Sequence, residues 1–67
     1  MSAKSTRDKI RHQSAEALAN MRKCQNNLAQ LAALADERST FINEYLPSIM
    51  ATVETLVHTM QQFDERL

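Results

Sequence analysis

The sequence predicts an all-α fold: two amphipathic coiled-coil helices, as a hairpin or as one long helix kinked near Pro47, assembling into a multi-helix bundle. Three observations predict it. The 67 residues contain no glycine and one proline, and the rest is rich in Ala, Leu, Met, Gln, Glu, Lys and Arg, which lose least on entering a helix. Apolar or small side chains recur in alternating steps of four and three along most of the chain. No internal staple exists: Cys24 is the sole cysteine, and His12, Cys24 and His58 lack metal-ligand spacing. A chain this short then depends on association for firm stability.

The first element follows a basic stretch, residues 1–7, expected to be frayed. Ser5-Thr6-Arg7-Asp8 reads as a helix start, a hydroxyl cap with an acid shortly after it. From Ile10 the seam runs Ile10, Ser14, Ala17, Met21, Cys24, Leu28, Leu31 and Ala35. In heptad letters Ser14, Met21, Leu28 and Ala35 are a, while Ile10, Ala17, Cys24 and Leu31 are d. Leu18 and Leu34 widen the stripe, as expected of a helix that meets more than one neighbour.

The second element has an equally regular seam. Ile42, Ile49, Leu56 and Phe63 are d; Leu46, Val53, Met60 and Leu67 are a. The two frames join with a four-residue stutter that puts Arg38 at a core position. Residues 8–67 therefore read as one helical interaction domain with a joint at about 38–47. At that joint two architectures stay open. Asp36-Glu37-Arg38-Ser39-Thr40 could be a turn, with Thr40 capping a second helix. Alternatively, a continuous helix on the order of 85 Å long would carry its seam through the stutter and kink at Pro47. The lack of Gly argues against a tight connection, whereas Ser39-Thr40 and Pro47 weaken helix near the register change. On either architecture the small-residue first half and the Ile/Leu/Val second half are expected to contact different neighbours.

Net charge is zero but polarised. Residues 1–23 carry six basic and two acidic residues, net +4; residues 24–67 carry two basic and six acidic, net −4. Antiparallel pairing, within a hairpin or between chains, matches the unlike halves. No apolar run reaches the ~18 residues of a membrane span, and Met1–Ser14 has no apolar signal core. With its lone thiol, the chain is expected in the cytoplasm.

Few residues invite chemistry. Cys24, at d among Ala, Leu and Met, is expected to pack as a small hydrophobe, although Arg22 and Lys23 could activate it if exposed. His12 has a carboxylate, Glu16, one turn further on, a surface pair of a common kind, and neither histidine suggests catalysis. No catalytic, cofactor or metal role is assigned. Lys4, Arg7, Lys9 and Arg11 form a candidate electrostatic patch for nucleic acid or an anionic membrane, interrupted by Asp8 and lacking aromatics. Phe41 and Tyr45, one turn apart beside the joint, are candidate exposed anchors for a partner. The remaining interaction surface is the seam itself, from Ile10 to Phe63.

The run Tyr45-Leu46-Pro47-Ser48-Ile49-Met50-Ala51-Thr52-Val53-Glu54-Thr55-Leu56, followed by Gln61, resembles a helical stretch in the second-subunit family of the biogenesis of lysosome-related organelles complex. The upstream run Asn20–Glu37 is similar to the preceding coiled coil of that family, though Pro47 departs from its continuous helix. The resemblance implies a scaffold subunit in a multi-helix cytosolic complex of lysosomal or endosomal trafficking. The sequence thus points to a non-catalytic assembly subunit that forms a bundle with partner helices, hetero- or homo-oligomeric. The alternative is a small homodimeric regulator that binds nucleic acid through its basic N-terminal helix face.

Overall fold

The computed structural model describes the backbone of residues 3–36 and 38–67, and their side chains from Thr6 onward. It is a helical hairpin: α1 spans Ala3–Ala35 and α2 spans Thr40–Glu65. The helices are antiparallel. At one end the Asn43 side-chain amide donates to the Asp36 carbonyl at 2.6 Å, and at the other Ser14 meets Asp64. The hairpin is a rod of 55 × 16 × 13 Å with a radius of gyration of 16.2 Å. A globular chain of this length would have a radius near ~11 Å. The molecule is therefore a single layer of helix with no second layer to cover it.

α1 starts before the Ser5–Asp8 signal. The expected fraying of residues 1–7 gives way to helix from Ala3, and Met1 and Ser2 lie outside the described residues. Ala, Lys and Arg are strong helix formers, and the turn that follows is tied down. Arg11 donates from Nε at 3.1 Å and Nη2 at 2.7 Å to the main-chain oxygen of Leu67.

The joint is shorter than the expected 38–47 and falls at residues 36–39. α1 ends with Asp36 in the left-handed region, φ 49°. Its N–H donates to the Ala32 carbonyl at 3.0 Å, a backbone bond of the kind that closes a helix through a left-handed residue. Glycine normally fills such a position; Asp is among the few residues that tolerate it. Arg38 N–H then bonds the Ala35 carbonyl at 2.9 Å, and Glu37 lies outside the described residues. Ser39, not Thr40, caps α2: its backbone is extended (φ −123°, ψ 105°) and its Oγ accepts from Ile42 N–H at 3.3 Å. The continuous helix is thus excluded. Arg38 is exposed in the turn, so the stutter is never threaded through a core.

Pro47 lies inside α2 without ending it. It cannot donate to the Asn43 carbonyl, a loss worth about 3 kcal/mol in a helix interior. Both residues are exposed, so water can reach the orphaned oxygen.

These terminal devices give separable predictions. Asp36→Gly should relieve the left-handed Cβ and raise the melting temperature by ~4–8 °C, the shift of about 1 kcal/mol in a chain this size. Ser39→Ala should lower it by a similar amount through loss of the cap. Thermal melts at one fixed chain concentration check both.

Candidate interaction surface

The hairpin interior is a line of a positions. Ala35, Leu46 and Val57 are the buried apolar residues, Leu46 at 4% exposure, and Met21, Leu28, Ile42, Val53 and Met60 are half-buried. Ser14, 5% exposed, is the buried polar residue, and its Oγ donates to Asp64 Oδ1 at 2.7 Å. A buried hydroxyl with a charged acceptor 50 residues away fixes the register, because any slip leaves it unpaired.

The second row of the interior is not d. Leu18, Gln25 and Ala32 of α1, and Val57 and Asp64 of α2, are half-buried or buried, and all are e positions. The d residues face out of the hairpin: Ile10, Leu31, Ile49, Leu56 and Phe63 are exposed, the last two at 50% and 51%. Cys24, expected to pack in a core, is an exposed free thiol. Ala17 is half-buried. The helix halves expected to seek different neighbours pack on each other. The cause is rotational. Helical residues turn about 100° each, so a/e residues centre on the partner helix while d lies roughly 80° to one side.

In an antiparallel pair that side is the same for both helices. A groove at one end, lined by Thr6, Lys9, Ile10, Gln13, Ser14, Met60 and Phe63, shows it. This open side consists of the d and g positions. It carries Ile10, Leu31, Leu34, Tyr45, Ile49, Leu56 and Phe63 among the exposed large apolar residues, Leu34 at 80%. Between Ile10 and Leu34, and between Ile42 and Phe63, no d or g residue is charged. Glu16, Arg22, Lys23, Glu44, Glu54 and Glu65 all occupy b, c or f, away from it. Thr52, on the same side, satisfies its own hydroxyl by donating to the Ser48 carbonyl at 2.8 Å.

The expected anchors divide. Phe41 and Tyr45 are both exposed, their ring centroids 5.0 Å apart at 41°. Tyr45 borders the open face at g, whereas Phe41 is at c, opposite the hairpin interior. Of the basic patch, Arg7, Lys9 and Arg11 are exposed, but Arg11 is committed to Leu67; the Lys4 side chain lies outside those described. His12 and His58 are exposed. Among the described residues no three His, Cys, Asp or Glu side chains gather as a metal site, and no helix is long and apolar enough to cross a membrane. The open d/g side is what heptad reading missed as a surface; the clustering of every mid-helix charge on the other positions was its visible signal.

Comparison of the chain with protein-family models, with curated proteins and with solved structures finds no match.

Ser14→Ala should destabilise the hairpin by about 1.5 kcal/mol, since it removes a hydrogen bond to a charged acceptor from a buried site. Urea titration should show a lower midpoint with an unchanged slope.

Proposed function

We propose that this chain is a non-catalytic assembly subunit whose hairpin completes a helical bundle with partner helices laid along its open d/g side. One observation carries the reading: among the described residues seven large apolar side chains stand exposed on one side of the rod, whose d and g positions carry no charge between Ile10 and Leu34 or between Ile42 and Phe63. Interface centres are depleted of charge in this way. A patch of this extent exceeds what isolated domains leave in water.

The surface area supports it. The chain exposes 5616 Å², whereas a compact monomer of its 7.6 kDa would expose about 4,300 Å². The excess of roughly 1,300 Å² on this one chain is more than the ~800 Å² each partner contributes to a standard interface. The resemblance of the Tyr45–Leu56 stretch to the lysosome-related organelle complex subunit supports placing this assembly in cytosolic trafficking scaffolds. A nucleic-acid role has less support, because Asp8 interrupts the basic cluster and Arg11 is engaged by Leu67.

Helicity by circular dichroism should fall as the purified chain is diluted toward ~1 μM, since folding and association are linked by mass action. Leu56→Asp, on the exposed side and outside the hairpin interior, should shift that transition to at least about tenfold higher concentration. High helicity indifferent to both dilution and this substitution would refute the reading.

A further inference from the structure

Taking that reading as its basis, we infer that the occupant of the open side is a second copy of this chain. The two hairpins are related by a two-fold axis parallel to the rod, giving a four-helix bundle in which every adjacent pair of helices is antiparallel.

The direction of the seam is the first ground. Within one hairpin the neighbour lies between a and e. The apolar seam of the sequence lies between a and d, roughly 50° away. A helix with one neighbour beside it and another above it, at right angles, has its core direction midway between them, about 45° from each. The a/d seam points there. The hairpin alone buries the a half, and a second hairpin on the d/g side buries the other half.

Register and volume are the second ground. Ser14–Asp64 and Arg11–Leu67 set the level at which α2 returns along α1. At that level the a residues of α1 stand beside d residues of α2, and d beside a. In the heptad layers nearest that level Ser14 falls opposite Phe63, Ala17 opposite Met60 and Cys24 opposite Val53. The two residue numbers add to 77 in each pair, and the same sum holds from Ile10–Leu67 at one end to Ala35–Ile42 at the other. In these three layers a small residue of α1 meets a larger one of α2. The open face inherits the difference: over residues 13–27 the α1 side is Gln13, Ala17, Asn20, Cys24 and Asn27, while the α2 side at the same levels is Phe63, Thr59, Leu56 and Thr52, with two large apolar residues where α1 has none. A two-fold along the rod sets each α2 ridge on the partner's shallow α1 strip. It also permits no axial slip, because it leaves levels along the rod unchanged. A two-fold across the rod would set ridge on ridge and strip on strip.

Area agrees. Seven exposed side chains of this size present on the order of 800 Å², the share per partner of a standard interface.

In this arrangement Cys24 faces Leu56 of the partner within one helical turn, while the two Cys24 thiols sit diagonally apart. Sedimentation equilibrium of the wild-type chain should give twice the 7.6 kDa chain mass. Leu56→Cys treated with oxidised glutathione should run as a covalent dimer on a non-reducing gel, and wild type, with Cys24 alone, should stay at chain mass. The added Cys24→Ser change should abolish the covalent dimer. A wild-type disulfide through Cys24, or a trimeric or higher mass, would overturn the two-fold along the rod. A monomer at ~100 μM that is poorly helical would remove the second copy and leave the assembly reading standing, for a different chain must then cover the face. A monomer that is fully helical at every concentration removes both.

Discussion

Two helices packed against each other can cover only one side of each, and a stripe wider than that side must look elsewhere for cover. In this hairpin the covered sides are a and e, fixed by the Ser14–Asp64 hydrogen bond at one end and the Asp36–Ser39 turn at the other. The apolar stripe of the sequence continues through d. The exposure of Leu56, Phe63 and Cys24, the uncharged d/g side and the 13 Å thickness of the rod all follow from that offset.

The register that produces the offset is held mainly by polar groups. Among the described residues three apolar side chains are buried, a modest hydrophobic contribution at roughly 25 cal/mol per Å². Against this stand a buried hydroxyl on a carboxylate, a guanidinium on the Leu67 oxygen and a side-chain amide on the Asp36 carbonyl. The first of these discriminates between registers more sharply than it adds net stability, because the buried Ser14 hydroxyl is costly to leave unpaired. The hairpin is in this sense better specified than it is stabilised.

Much of the fold was legible in the sequence, and what was not has definite physical causes. Helix content and the two heptad frames follow from composition and spacing, and the charge polarity of residues 1–23 against 24–67 anticipates the antiparallel pairing. A heptad pattern, however, states which residues share a stripe and not how many neighbours the stripe meets. Cys24 therefore reads as core while standing exposed in the single hairpin. The turn was obscured for another reason. Its left-handed residue is Asp36 where glycine is the usual signal, so the absence of Gly counted against a connection that exists. Arg11 belonged to a plausible basic patch in one dimension, and only the return of the chain shows the Leu67 oxygen it serves.

Pro47 has a consequence for how far such a molecule can grow. It leaves the Asn43 carbonyl without a helix N–H, beside the exposed Glu44 and Pro47 at f and b, away from the d/g face. That oxygen must stay wet, since burying it unpaired costs as much as a lost hydrogen bond. The rod therefore has one side suited to being dry and one obliged to remain hydrated. The proposed assembly through the dry side finds no equivalent surface on the hydrated one, and would close on a finite particle rather than propagate as a fibre.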